Sequence, residues 1–132
     1  MNNFIKPSAE LKIAIEASKA AAEVIKKYYQ GNFQVEIKSD QTPVTEVDIQ
    51  AEKIIKEIIL NAFPDHGFYG EETNRENHDS DFLWLVDPID GTKGFVRGYP
   101  FFSTQIALMH KSQIILGVSN APIFEEIIFA EL

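Results

Sequence analysis

The chain has 132 residues, of which 45% are hydrophobic and 24% charged, which suits one ordinary core and argues against disorder. Its formal net charge of −8 argues against a nucleic-acid partner, because phosphate backbones are held by clusters of Lys and Arg that this sequence lacks. The sequence has no cysteine, which excludes disulfides and thiolate metal sites and fits the cytoplasm as its compartment.

The first predicted element is a long amphipathic helix. The first ten residues, MNNFIKPSAE, lack the pattern of a signal peptide, and no apolar stretch of the sequence is long enough to span a bilayer. We therefore expect a soluble protein with no membrane partner. Ser8 is a plausible N-cap, and apolar or small residues recur with helical spacing from there to a stop at Gly31. Residues 33–37 are then extended, and the run SDQTP, which includes Pro43, should break regular structure.

A second amphipathic helix should begin after Thr45. Thr45 offers an N-cap, and Asp48 is placed three residues later to complete a capping box. The helix should end before Pro64. Since both helices have one apolar face, both must pack on something.

Short strands with turn signals between them follow the helices. The predicted strands are 67–70, 82–86, 103–109, 113–120 and 126–131. Residues 103–120 indicate a hairpin, and the last strand, in the run IIFAEL, would leave an exposed sheet edge unless something covers it. The predicted fold class is α+β, with two N-terminal helices packed on an antiparallel sheet.

Three groups of acidic residues carry the chemical signal. In the run WLVDPIDGT, a buried strand should deliver Asp87 and Asp90 into the turn that follows it. Glu71 and Glu72 follow a short strand and would point to opposite sides if that strand continued. Each group also has a purely structural interpretation: turn formation for the two aspartates, solvated surface for the two glutamates and helix capping for Asp48.

Oxygen ligands of this kind suit a hard cation, so Mg²⁺, or alternatively Mn²⁺, is expected rather than Zn²⁺ or copper. The three histidines lack the spacing of metal ligands, and the sequence contains neither an EF-hand loop nor a P-loop. An acidic chain that binds an anionic substrate would need such a bridging cation. The backbone amides and hydroxyl of Gly91 and Thr92 could hold an anion if a helix begins there.

The runs K-S-D-Q-T-P-V-T-x-x-D at 38–48, GEE at 70–72 and DPIDGT at 87–92 resemble, in order and spacing, the first three signatures of the inositol monophosphatase family. The resemblance covers essentially the whole chain. It implies a lithium-sensitive, Mg²⁺-dependent phosphatase and the N-terminal half of a layered fold like that of fructose bisphosphatase. Two or three Mg²⁺ ions, a small phosphate ester as substrate and a homodimer are expected with it.

The resemblance also assigns roles to residues of this chain. The metal ligands it implies are Glu71, Asp87, the backbone carbonyl of Ile89, and Asp90, with Asp87 bridging two ions. The residues it implies for catalysis are Asp48 and Thr92, which would orient the attacking water, and the neighbouring acid Glu72. The residues it implies for substrate binding are Lys38, Gly91 and Thr92. Hydrolysis would proceed by metal-activated water without a covalent phospho-enzyme.

The runs KGFVRGYPFFSTQIALM and GVSNAPIFEE are most similar to the histidinol-phosphatase branch of histidine biosynthesis. Inositol-1-monophosphatase and 3′(2′),5′-bisphosphate nucleotidase are the alternatives. The family pattern continues into a W-D-x-A-A-G-type motif whose Asp binds the second metal, and residues 1–132 do not contain it. We therefore expect an N-terminal metal-binding half, truncated and weakly active or inactive. A non-catalytic module that pairs with another chain is the alternative.

Overall fold

The computed structural model describes residues 6–132. The helices are α1 (Ala9–Tyr28), α2 (Glu46–Ala62) and the short α3 (Thr92–Val96). The strands are β1 (Val35–Ile37), β2 (Pro43–Thr45), β3 (Gly67–Gly70), β4 (Phe82–Asp90), β5 (Ser103–His110), β6 (Gln113–Ala121) and β7 (Glu126–Glu131). A single 3₁₀ turn, Pro122–Phe124, joins the last two strands. The predicted α+β fold class is confirmed.

The long helix α1 forms where its spacing predicted it. The Ser8 hydroxyl accepts the backbone N–H of Leu11 at 3.1 Å, and this cap satisfies one of the free amides of the first turn. A stripe of mostly small apolar side chains is buried against α2 and the sheet, including Ala14, Ala17, Ala21 and Ile25. The helix ends at Tyr28, before the predicted stop at Gly31, and Gln30, two residues later, has a positive φ of 61°.

Five strands form one sheet in the order β3-β4-β5-β6-β7. Alternate residues of the central strands, such as Trp84, Ile106 and Val118, are buried on the face that α1 and α2 cover. All pairings are antiparallel except β3 with β4, which is parallel. Parallel neighbours need a long connection to return the chain to the same end of the sheet, and the loop between these two strands, residues 71–81, provides it.

Two local predictions were wrong. Pro43 does not break regular structure but begins β2, which pairs with β1 in a separate two-stranded hairpin; proline is tolerated there because it stands first in an edge strand. The strand predicted at 82–86 continues to Asp90, so Asp87 and Asp90 lie within β4 and not in the turn after it. The turn begins one residue later, at Gly91.

The strand β7 lies at one edge of the sheet, as its apolar sequence predicted. Ile128 is 62% exposed and Phe129 is 53% exposed. Within the described residues, no helix is both long enough and apolar enough to cross a bilayer. The expectation that no targeting segment precedes α1 rests partly on residues 1–5, which lie outside the described residues.

Candidate functional site

An irregularity in β4 places two acids on one cleft. Asp87 pairs with Gln105 and Asp90 with Ser103, so three steps along β4 match two steps along β5, and β4 therefore bulges by one residue. In a regular strand, residues three apart point to opposite faces of the sheet. Because a bulge redirects the side chains after it, both Asp87 and Asp90 line the same cleft.

That cleft, of ≈ 340 Å³, brings together most of the predicted site residues. It lies where the end of β3, the bulge of β4, the start of α3 and the β1–β2 hairpin meet. The predicted residues that line it are Lys38, Glu71, Glu72, Asp87, Ile89, Asp90, Gly91 and Thr92. Asp48 is the one predicted site residue that does not line it, since its side chain is buried beneath Thr92.

Asp48 is held in one orientation from three directions. Its Oδ2 accepts the backbone N–H of Thr45 at 2.8 Å and the Thr45 hydroxyl, which completes the predicted capping box at the start of α2. Its Oδ1 accepts the hydroxyl of Thr92 at 3.0 Å across 44 residues of sequence. The structure thus brings together the two residues that the resemblance pairs for orienting water.

The Thr92 hydroxyl is also 3.1 Å from the backbone carbonyl oxygen of Ile89. A hydroxyl has one proton, so it can donate fully to only one of these acceptors. The Asp48 carboxylate is the stronger acceptor when it is ionised. Donation to Asp48 leaves the Ile89 carbonyl oxygen available to another partner.

The carboxylate of Asp87 is the electrostatic centre of the cleft. Burial, followed by the negative charges of Glu71 and Asp90, raises the pKa of Asp87 to about 7. Its Oδ1 is buried and has no hydrogen-bond partner among the described residues. A half-buried acid with an unsatisfied oxygen and acidic neighbours favours a proton or a cation.

An ion pair between Lys38 and Glu72 closes one side of the cleft. Lys38 Nζ donates to Glu72 Oε1 at 2.7 Å, from the turn of the β1–β2 hairpin. Burial alone would lower the pKa of Lys38, but the hydrogen bond from Lys38 to Glu72 and the charges of Glu72 and Glu71 raise it overall. Burial raises the pKa of Glu72, and Lys38 offsets only part of that rise. Glu72 therefore faces a cation of the protein itself, whereas Glu71 faces Asp87.

The turn after β4 has the geometry expected of Gly91 and Thr92. Gly91 has φ 99°, and an added Cβ would lie 2.8 Å from the carbonyl oxygen of Phe101, so both conformation and space require glycine. The helix α3 begins directly at Thr92, and the Gly91 carbonyl accepts the Phe95 N–H at 3.1 Å. The condition for anion binding, a helix that begins beside the two acids, is therefore met, and anion binding there stays a prediction.

The donor set fits Mg²⁺ in chemistry. Carboxylate oxygens and one backbone carbonyl are the hard ligands that this ion prefers, and Asp87 supplies an oxygen with no partner among the described residues. Within residues 6–132, however, no three acidic or histidine side chains are gathered into a ready coordination shell. Like-charged carboxylates repel one another, which the raised pKa of Asp87 also reflects. The assignment of Glu71, Asp87, Ile89 and Asp90 as ligands stays a prediction.

Sequence reasoning missed two residues near the site. Lys93 lines the cleft directly after Thr92, and its position next to the DPIDGT run could have indicated it. Glu52 is fully buried on α2 and accepts the backbone N–H of Glu72. Its signal was an acid at the position four residues after Asp48, on the buried face of a predicted helix.

Comparison with known proteins agrees with this architecture. The model of the inositol monophosphatase family matches residues 6–132. The chain is 43% identical over 109 residues to the bifunctional phosphatase IMPL2 of Arabidopsis thaliana, covering 81% of this chain and 32% of the relative. It is 38% identical to a histidinol-phosphatase of Chlorobaculum parvum, covering 92% of this chain and 48% of the relative.

The solved structure of the extragenic suppressor protein suhB from Bartonella henselae superposes with a TM-score of 0.90 at 36% identity. The match covers 94% of this chain and 49% of that one. The chain therefore spans about half, or less, of the length of the proteins that it resembles.

Proposed function

This chain belongs to the inositol monophosphatase family, and on that premise we propose that it carries the acidic part of a Mg²⁺-dependent site that hydrolyses small phosphate monoesters. The observation that carries the proposal is the carboxylate of Asp87. Its buried Oδ1 lacks a hydrogen-bond partner within residues 6–132, and Glu71 and Asp90 lie close enough to raise its pKa. A divalent cation would satisfy the oxygen and offset the repulsion together.

Glu71, Asp87, Asp90 and the carbonyl of Ile89 would hold two or three Mg²⁺ ions. When bound, Mg²⁺ supplies Lewis-acid chemistry, since it lowers the pKa of water and neutralises charge on phosphate oxygens. Mn²⁺, which also prefers oxygen ligands, is a possible substitute. The chain has no cysteine, and the proposal requires no residue to form a covalent bond with phosphorus.

The Asp48–Thr92 pair supports a water-based mechanism. When the Thr92 hydroxyl donates its proton to Asp48, its lone pairs remain free to accept a proton from a water molecule in the cleft. As Thr92 takes that proton it passes its own proton to Asp48, whose carboxylate is held in place by the backbone N–H and hydroxyl of Thr45. The pair would therefore orient the water and take up its proton as the water attacks phosphorus.

Cations of the protein line the other side of the cleft. Lys38 neutralises Glu72 and leaves Glu71 to face Asp87, so the adjacent acids have different roles. We assign Glu72 to positioning Lys38 and the attacking water, and Lys38 to attracting the phosphate. The start of α3 at Gly91 and Thr92 would bind phosphate oxygens through backbone N–H groups.

Histidinol phosphate is the substrate we propose. The likeness to a protein named histidinol-phosphatase over 92% of this chain supports it. Inositol 1-phosphate and 3′(2′),5′-bisphosphate nucleotides are the alternatives, and they share the same phosphate ester chemistry. The lack of cysteine supports the cytoplasm as the compartment. The exposed edge strand β7 supports a homodimer, which sedimentation of the purified protein would test.

The test is phosphate release from the three substrates, with Mg²⁺ and with EDTA. We expect slow release that requires Mg²⁺ and is fastest with histidinol phosphate. Thr92→Val should reduce it by about 10²–10⁴-fold, whereas Thr92→Ser, which keeps the hydroxyl, should retain most of it. Release that persists in EDTA would refute the mechanism. A protein that binds Mg²⁺ yet releases no phosphate from any substrate would refute the activity proposed here and would fit either an inactive half or the non-catalytic pairing module.

A further inference from the structure

One face of α2 carries three charged residues spaced four apart, and each contacts a different part of the site region. Asp48 bonds Thr92 at the start of α3. Glu52, one turn later, contacts the residues that follow β3. Lys56, a further turn along, donates to the backbone carbonyl of Asn74 at 2.8 Å. The helix thus fixes the start of α3 relative to the acidic segment that follows β3.

Glu52 is the completely buried charged residue of this stripe that has no role in the proposed mechanism. Its side chain is completely buried, and a glutamate is rarely completely buried unless another group pairs with it. Both of its carboxylate oxygens lie close to the backbone nitrogen of Glu72, at 3.0 and 3.1 Å, and accept its N–H. A buried carboxylate aimed at one backbone amide indicates that the position of that amide matters.

Gly70 supplies a second, independent contact. A Cβ added at Gly70 would overlap the Glu52 carboxylate, so the carboxylate lies directly against the backbone at that position. The strand β3 ends at Gly70, and from there the sheet no longer holds the chain. Glu52 therefore takes over from the sheet as the support for residues 70–72.

The direction of the two acids depends on that support. Glu71 must face Asp87 while Glu72 faces Lys38. A peptide plane that rotated after Gly70 would move both carboxylates at once. We propose that Glu52 is a positioning residue, which fixes the backbone of residues 70–72 so that Glu71 and Glu72 point to opposite sides of the Mg²⁺ site. This inference rests on the proposed function, because it assigns Glu71 to that site.

The first test uses Glu52→Leu and Glu52→Gln. Isothermal titration with Mg²⁺ gives the dissociation constant, and hydrogen exchange of the Glu72 amide reports the bond directly. Glu52→Leu should raise the dissociation constant by about 10- to 100-fold, as loss of supporting contacts does in metal sites, and should speed exchange at Glu72. Glu52→Gln keeps a carbonyl acceptor of the same length and should restore most of both.

The matched control is Ile59→Val, at another fully buried position of the same helix. It should lower the thermal midpoint and leave both the dissociation constant and Glu72 exchange unchanged. If Glu52→Leu folds and also leaves both unchanged, Glu52 only stabilises the fold and the proposal is wrong.

A size-compensating pair tests the contact with Gly70. Gly70→Ala should weaken Mg²⁺ binding because its methyl group displaces the Glu52 carboxylate. Adding Glu52→Asp, which is shorter by one methylene, should restore part of the affinity in the same chain. If the affinity losses of Gly70→Ala and Glu52→Asp simply add in the double variant, the proposal is contradicted. This pair decides the question even if Glu52→Leu does not fold.

The outcomes separate this inference from the proposed function. A wild-type protein that does not bind Mg²⁺ would refute the proposed function. Even then, faster exchange of the Glu72 amide in Glu52→Leu, but not in Ile59→Val, would show that Glu52 holds the Glu72 backbone in the metal-free protein. Unchanged exchange would refute it.

Discussion

Replacement of Asp87 by Asn should stabilise the metal-free protein above neutral pH. The pKa of Asp87 is raised from its ordinary 3.8 to about 7, first by burial and then by Glu71 and Asp90, so the folded state disfavours the ionised carboxylate. Each pKa unit corresponds to about 1.4 kcal/mol, which sets an upper bound of about 4 kcal/mol. Because the side chain is only half-buried, solvent screening reduces the expected gain to about 2 kcal/mol.

The pH dependence has a definite sign. The contribution of Asp87 to wild-type stability is fully present below pH 3.8 and is lost as the pH rises through about 7. The advantage of Asp87→Asn should therefore grow between these values and stay constant above them.

Urea denaturation in EDTA at several pH values measures the effect. Asp79→Asn is the matched control, since the Asp79 side chain is 97% exposed and its replacement should change little. A destabilised Asp87→Asn protein at about pH 8, or an advantage that shrinks as the pH rises, would refute the electrostatic reasoning.

Two further outcomes are expected from the fold. Burial lowers the pKa of His66, whose Nδ1 accepts the Trp84 indole N–H at 3.0 Å. The stability from this neutral ring is present above pH 6.5 and is lost as the pH falls through the lower folded-state pKa. On acidification, His66→Gln should therefore lose less stability than the wild type. Urea denaturation followed by Trp84 fluorescence measures the difference. Equal losses would contradict it. Gly91→Ala should lower the free energy of unfolding by more than about 1 kcal/mol because of its positive φ and the close Phe101 carbonyl. Gly117→Ala, whose added Cβ meets nothing within 4 Å, is the control, and equal effects in thermal denaturation would count against the argument.

Local patterns predicted much of the fold. Helical spacing and the Thr45–Asp48 capping box placed α2, and the turn signal between two short strands placed the β5–β6 hairpin, because both signals arise from neighbouring residues. The parallel pairing of β3 with β4 and the bulge in β4 were not predicted. Both depend on which strand lies alongside, and nothing in the local spacing of Asp87 and Asp90 records that.

The candidate site shows the same division. The acids at 71, 72, 87 and 90 were identified by motif, and the structure lines one cleft with them. The bond between Asp48 and Thr92 joins residues 44 apart, and only the family resemblance indicated it. Glu52 was missed because a charged residue within a helix is usually on its solvent face, whereas this one is buried against the backbone of Gly70.

The most direct test of the central claim is a calorimetric titration of Mg²⁺ into the wild-type protein, Asp87→Asn and Asp79→Asn. If the cleft is a metal site, the wild type and Asp79→Asn should bind Mg²⁺ with the same dissociation constant, and Asp87→Asn should lose saturable binding while remaining folded. Binding that is equally strong in Asp87→Asn, or absent from the wild type, would contradict the assignment of this acidic cluster as a metal site.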